Sequence, residues 1–170
     1  EVGSGAGGGL LELLSYGACP ALLHGTDLLA ERVAVARQLL PHVSMTASDG
    51  RYLPYPDCSF DLCLQFTMFS SITDEAICYT VANEMLRVVK PTGLILWYDI
   101  WTNPLNKATR GIRTREIRRY FPNCHLAVDR ITLAPPLARG LVPVSWIGAE
   151  MLEKLRILNT HYLVAIRPEN

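Results

Sequence analysis

Glu1-Val2-Gly3-Ser4-Gly5-Ala6-Gly7-Gly8-Gly9 opens the chain with five glycines in nine residues, and an apolar helical run over 10–14 follows at once. Glycine permits positive φ and lets a ligand approach bare backbone. A helix that starts after such a loop aims free N–H groups and a partial positive charge at it. Gly3, Gly5 and Gly8 also satisfy the G-x-G-x-x-G pattern of dinucleotide sites. Alone, the loop fits a nucleotide-like ligand or a plain tight turn. What surrounds it decides.

Working outward, residues 21–26 form a short apolar strand ending at Asp27. Leu29, Val33, Ala36 and Leu40 recur at helical spacing and stop at Pro41. Strands are expected over 42–47 and 60–66. A helix capped by Thr73 runs to about Val89, Lys90-Pro91-Thr92-Gly93 turns the chain, and 94–98 form the next strand. This alternation predicts an α/β fold with helices on both faces of a parallel sheet. The last third adds a basic helix near 114–121, a strand near 125–133, a proline-rich turn, a helix near 149–155 and a final strand over 161–167.

Composition sets the outer bounds. The 170 residues are 49% hydrophobic and 19% charged, which suits one folded domain over 1–170 and excludes a disordered chain. Sixteen basic residues balance sixteen acidic ones, so global charge offers nothing to nucleic acid or a membrane surface. No apolar run approaches the roughly 18 residues of a bilayer span. Five scattered cysteines without a Cys-x-x-Cys pair argue against a disulfide framework or a metal site and for a reducing, cytoplasmic setting.

Carboxylates recur at successive strand ends. Glu1 precedes the glycine loop, where a dinucleotide enzyme would continue an apolar strand, and suits a ligand bearing an ammonium group. Asp27 is placed to accept ribose hydroxyls, and Asp49-Gly50 to accept from an adenine amino group. Together they outline a nucleoside with a cationic tail along the carboxyl edge of the sheet.

The segment Glu1-Val2-Gly3-Ser4-Gly5-Ala6-Gly7 resembles motif I of the class I S-adenosylmethionine-dependent methyltransferases of the type 11-like kind, and Thr26-Asp27-Leu28 resembles their second motif. Asp49-Gly50-Arg51-Tyr52-Leu53-Pro54 through Ser59-Phe60-Asp61-Leu62 is similar to their "gD…LPf.d.sFDlv" stretch. Glu84-Met85-Leu86-Arg87-Val88-Val89-Lys90-Pro91-Thr92-Gly93 is similar to "E..RvLkPGG", with Thr92 in place of a glycine. The resemblance implies a Rossmann-like doubly wound sheet, mostly parallel, with an antiparallel last strand over about 161–167. It implies S-adenosylmethionine as donor and S-adenosylhomocysteine as product. The cofactor residues it implies are Glu1, Gly3, Ser4, Gly5, Gly7, Asp27, Leu28, Asp49 and Gly50, with Gln65, Phe66 and the residues up to Phe69 beneath the sulfonium. The family sets a whole strand and a helix before motif I, where Glu1 and Val2 stand here. Further residues ahead of Glu1 are therefore expected, and weak cofactor binding by a chain that starts there.

The acceptor is expected beyond the strands at 60–66 and 94–98. Candidates are Tyr98, Trp101, Asn103 and His161, with Asp99 as general base because it ends a strand at the cleft. Five arginines in the ten residues 110–119 read as a solvated helix face or, for Arg110 and Arg113, as a grip on an anionic acceptor. The expected reaction is methyl transfer to a small-molecule or glycan-type acceptor at oxygen, since no Asn/Asp-Pro-Pro-Tyr follows the strand at 60–66. A non-catalytic binding module and an NAD-dependent oxidoreductase are the alternatives.

Overall fold

The computed structural model describes residues 1–102 and 110–169. Along them run helix α1 (Gly8–Ser15), strand β1 (His24–Asp27), α2 (Ala30–Leu39), β2 (Ser44–Ala47), β3 (Phe60–Phe66), α3 (Glu75–Val88), β4 (Val89–Ile100), α4 (Thr114–Tyr120), β5 (Cys124–Leu133), α5 (Pro135–Leu141), α6 (Trp146–Lys154) and β6 (Asn159–Pro168). β1 and β2 pair in parallel, and β3-β4-β6-β5 form a second ladder. β3 and β4 are parallel, and β6 runs antiparallel between β4 and β5, as the expected last strand does.

Glu1 and Val2 join the two ladders. Val2 bridges Thr26 in parallel, Thr26 N donates to Glu1 O at 2.9 Å, and Val2 N donates to Leu64 O at 2.8 Å. The resulting order is β2-β1-(Glu1–Val2)-β3-β4-β6-β5, an open, mostly parallel sheet. Before Glu1 the seam opens into a cleft of about 310 Å³ between β1 and β3, walled by Leu13, Leu22, Leu23, Phe60 and Leu62.

Helices cover the sheet from opposite sides, each by an apolar stripe. Leu10 of α1 and Val33 and Ala36 of α2 bury against Met45 beside β1. Cys78, Val81, Ala82, Met85 and Val88 of α3, with Ile117 and Tyr120 of α4, bury against Ile95, Trp97, Val164 and Ile166. Phe69, Tyr120 and Phe121 crowd around Trp97, at centroid separations of 4.1 Å for Phe69 and 6.0 Å for Phe121. Each such ring removes about 150–250 Å² from water, so this half carries most of the hydrophobic stabilisation.

The motif-like stretches interlock. Glu84 accepts from Leu53 N at 2.8 Å, and Arg87 pairs with Glu84 and Asp57 while donating to Leu53 O and Tyr55 O. A loop rich in proline and without a ladder of its own is thereby fastened to α3. Three expectations shift. Asp74, not Thr73, caps α3, its carboxylate accepting from Ala76 N at 2.8 Å. The proline-rich turn is helix α5, since Pro135 and Pro136 fill first-turn positions that need no N–H. β4 begins at Val89, yet Phe60 pairs with Val89 and Leu62 with Leu94, so residues 90–93 still loop out as the expected turn.

Because the cleft beside Glu1 exposes strand edges and leucines together, a short β-forming segment fused ahead of Glu1 should pair there. The melting temperature read by circular dichroism is expected to rise by about 5 °C or more.

Candidate functional site

At the carboxyl ends of β1, β2 and β3 lies a cleft of about 520 Å³. Its walls bring together Gly3, Asp27, Leu28, Asp49, Gly50 and Phe66, residues far apart in sequence but expected to share one ligand. Arg32, Arg51, Met68, Ile77 and Val81 line it as well. Leu28 is 68% exposed, an apolar side chain held at the mouth.

The glycine loop is shaped by its neighbours. Gly3, Gly5 and Gly7 all take positive φ. A Cβ on Gly3 would lie 2.7 Å from Met68, and one on Gly7 would strike Leu40, whereas Gly5 faces open space and needs glycine for its φ of 54° alone. Ser4 is buried: its N donates to Thr26 O at 2.9 Å and its hydroxyl to the same carbonyl at 3.2 Å. Ser4, Gly5 and Gly7 therefore build the loop from behind, and Gly3 presents it to the cleft.

The three carboxylates differ in what they already hold. Asp27 accepts from Gly5 N at 2.8 Å and Leu29 N at 2.9 Å, one bond per oxygen, tying the loop to the turn after β1. Asp49 is gripped by Arg51 through a 2.7 Å ion pair and a bond from Arg51 N, and the guanidinium holds its carboxyl below the usual range. Glu1 packs under the first turn of α1, where a side chain on Gly9 would meet its oxygens at 2.8 Å. Its Oε2 is buried without a partner. Burial pushes this carboxyl up to about 7, opposed by a bond from Leu10 N and reinforced by Asp27. Glu1 lines the smaller cleft between β1 and β3 and is not among the walls of the 520 Å³ cleft, so the structure sets it behind the glycine loop, where its one unpartnered oxygen favours positive charge nearby.

Other expectations move. Gln65 is fully buried, donating to Tyr98 O at 3.3 Å and accepting from Met68 N at 3.1 Å, so it shapes the loop after β3 and stays out of the cleft. Asp99 does not face the cleft. It is 1% exposed on the opposite face of β4, accepting from Ser70 N at 3.1 Å and Ile100 N at 2.8 Å, because strand alternation turns Tyr98 and Asp99 opposite ways. Trp101 lies on that face too, donating to Asn159 O under the guanidinium of Arg130. Arg110 is consumed by Glu116, Tyr120 Oη and Ile72 O, and Arg113 begins α4 away from the cleft. Asn103 lies outside the described residues. Tyr98 packs against Phe66 and His161. Arg32 was missed in sequence because its helix position reads as solvent-facing. Ile77 and Val81 read as core, and only the packing shows them lining a ligand-sized space.

A family model described as "Methyltransferase domain" matches residues 1–97, more than half of the chain. The chain belongs to this methyltransferase family. An uncharacterized methyltransferase of Mycobacterium sp. (strain KMS) is 35% identical over 66 residues, covering 38% of this chain and 25% of that protein. The domain thus spans about a quarter of the curated relatives' length. Among solved structures, the PH0226 protein of Pyrococcus horikoshii OT3 superposes with a TM-score of 0.71 at 15% identity, over 99% of this chain and 80% of the other. A SAM-dependent methyltransferase of Methanosarcina mazei gives 0.67 at 14% identity, over 99% and 91%. Both show the class I methyltransferase fold.

The raised carboxyl of Glu1 fixes a pH dependence. Folding favours its protonated form, so stability present below its ordinary value is lost as pH rises through about 7. An ammonium-bearing ligand gains over the same range, because only the ionised carboxylate attracts it. Calorimetry should show S-adenosylhomocysteine affinity rising several-fold as pH climbs to about 7 and then levelling, with Glu1→Gln abolishing the rise.

Proposed function

We propose that this domain is an S-adenosylmethionine-dependent methyltransferase acting on a small-molecule or glycan-type acceptor at oxygen. The observation that carries the reading is the single cleft joining Gly3, Asp27, Asp49, Gly50 and Phe66. Bound there, the donor supplies a methyl group on a positively charged sulfur. Gly3 brings bare backbone to the methionine portion, and the charge of Glu1, behind the glycine loop, attracts its ammonium from outside the cleft wall. Asp27 keeps a second lone pair on each oxygen for ribose hydroxyls, and Asp49 receives the adenine amino group beside Arg51. Leu28, Ile77 and Val81 give apolar walls to the base, and Phe66 with Met68 excludes water from the reacting end.

Methyl displacement needs alignment and desolvation more than covalent help. The chain meets the first demand through its loop after β3. Thr67 N is tied to Tyr98 O, Met68 N to Gln65 and Ser70 N to Asp99. Asp99 is a positioning group in this arrangement, and proton removal from the acceptor is not its task. The absence of an Asn/Asp-Pro-Pro-Tyr stretch after β3, where Gln65-Phe66-Thr67-Met68 stands, supports oxygen over nitrogen. Balanced charge supports a small acceptor over nucleic acid. Five free thiols support a cytoplasmic setting, and among the described residues no helix is long and apolar enough to cross a membrane. A dinucleotide would bring its pyrophosphate toward the buried acid of Glu1, which counts against the oxidoreductase alternative.

In a thermal-shift comparison at millimolar ligand, S-adenosylhomocysteine should raise the melting temperature by a few degrees and NAD should leave it unchanged, since only a ligand that prefers the folded state stabilises it. A rise with NAD and none with S-adenosylhomocysteine would overturn the reading.

Asp99→Ala would release the loop after β3. A loss of about 1–3 kcal/mol in urea unfolding is expected, together with weaker S-adenosylhomocysteine binding.

A further inference from the structure

Two β-branched residues stand in the left-handed backbone region, Thr67 at φ 55° and Thr132 at φ 64°. Branching at Cβ makes that conformation costly, and it persists where neighbours over-determine it, often beside a functional site. Thr67 follows β3 and Thr132 lies near the end of β5, both at the carboxyl rim. Both are bound to one residue. Thr67 N donates to Tyr98 O at 2.8 Å, and the hydroxyls of Thr132 and Tyr98 share a hydrogen bond of 2.9 Å.

The pairing of Ile131 with His161, and of Tyr98 with Leu163, puts Ile131 on the face of Tyr98. Regular alternation would then send Thr132 to the other face, with Arg130 and Trp101. The left-handed backbone lets its hydroxyl reach Tyr98 instead, and Glu153 Oε1 holds it there by accepting from Thr132 N at 3.0 Å. The Tyr98 ring lies flat on His161, 4.8 Å away at 2°, and edge-on to Phe66 at 6.0 Å. Phe66 is a wall of the cleft, so Tyr98 stands one side chain beyond it, half-buried.

We infer that Tyr98 is the acceptor-positioning residue of this domain, holding an uncharged, phenol-like hydroxyl compound beside Phe66. The inference rests on the cofactor reading above and narrows its acceptor. Burial keeps the Tyr98 phenol above its ordinary value, hence protonated at neutral pH and able to donate. Either hydroxyl can donate in the Tyr98–Thr132 bond; an acceptor oxygen that takes the phenol O–H selects the arrangement in which Thr132 donates into Tyr98 Oη, and its remaining lone pair is then turned toward the cleft. Charge points the same way. Arg110 is consumed by Glu116, and Arg130 lies on the opposite face over Trp101. The charged group bonded to this wall is Glu153, so an anionic acceptor finds no counter-charge on it among the described residues. Flat rings at Phe66 and Tyr98 suit an aromatic body.

The test uses the full 170-residue chain saturated with S-adenosylhomocysteine, with 4-fluorophenol and fluorobenzene as fluorine-NMR probes. 4-Fluorophenol should bind more tightly than fluorobenzene. Tyr98→Phe, which keeps the ring and its stack, should weaken 4-fluorophenol about fivefold or more and leave fluorobenzene unchanged. Thr132→Val should reproduce part of that loss. S-adenosylhomocysteine affinity, measured in the same samples, should hold in Tyr98→Phe. Equal binding of both probes to the native chain, an unchanged 4-fluorophenol affinity in Tyr98→Phe, or no 4-fluorophenol binding to the saturated protein each overturns the inference. Failure of S-adenosylhomocysteine itself to bind would instead overturn the cofactor reading.

Discussion

Two residues, Glu1 and Val2, carry the hydrogen bonds that make one sheet out of two ladders. On one side stand β1 and β2 with the core of Leu10, Val33, Ala36, Leu40 and Met45. On the other stand β3, β4, β6 and β5 around Trp97. The seam between them is the parallel bridge of Val2 with Thr26 and the bond from Val2 N to Leu64 O. Every ligand-facing feature straddles that seam. Asp27 and Asp49 belong to the first half, Phe66 and Met68 to the second, and Gly3 turns directly out of the seam into the cleft. The distance across the cleft is therefore set by a few backbone bonds, which are directional and short. Side-chain packing alone, which tolerates sliding, would set it poorly.

The same economy governs the rim carboxylates. An acid taken out of water is expensive unless paired, and Asp27 is buried, Glu1 half-buried and Asp49 partly exposed, each paired to a different extent. Asp27 spends a bond of each oxygen on Gly5 N and Leu29 N, so it is held by the loop it helps to shape. Asp49 leans on an exposed arginine, a partner that yields easily in water. Glu1 has an oxygen with no partner at all. Structural and ligand-binding roles are thus graded along one rim: the more fully a carboxylate is satisfied by the fold, the less a ligand changes its state. Glu1 is where a positive ligand has the most to gain.

Much of this was legible in the sequence because it is carried by local rules. Glycine φ requirements, helical periodicity at Val33 and Ala36, and an uninterrupted β-forming run at 60–66 each specify an element without help from the rest. The stretches around Leu53-Pro54 and Glu84-Met85-Leu86-Arg87, far apart in sequence, are joined in the structure. Glu84 and Arg87 hold the backbone of the first stretch, so neither is useful alone. Asp99 shows where local rules fail. A carboxylate at a strand end can face either way, and one position of alternation separates a cleft-facing base from a buried acceptor of Ser70 N. Arg110 fails for another reason. Five arginines in ten residues describe a surface, yet Glu116 and Tyr120 of α4 draw this one inward, and its bonds to Ile72 O and Cys78 Sγ exist only once α4 packs on α3.

The family match ends at Trp97, one residue before Tyr98. This boundary has a physical sense. On the function proposed above, the donor is one molecule with one set of hydrogen bonds, which asks for particular residues at fixed spacing in the half that would bind it. The half that meets the acceptor answers to whatever hydroxyl, ring or chain must be aligned, and its fold sets no residue types in advance. In such a region, function leaves its mark as geometry that packing alone does not require. Thr132 could have continued β5 with an ordinary extended backbone. Instead it takes a conformation that a β-branched residue avoids, and spends a carboxylate of α6 and the hydroxyl of Tyr98 to hold it. Strain that three separate elements combine to maintain, on a residue joined to the cleft wall through Tyr98 and Phe66, is better explained by what it orients than by what it stabilises.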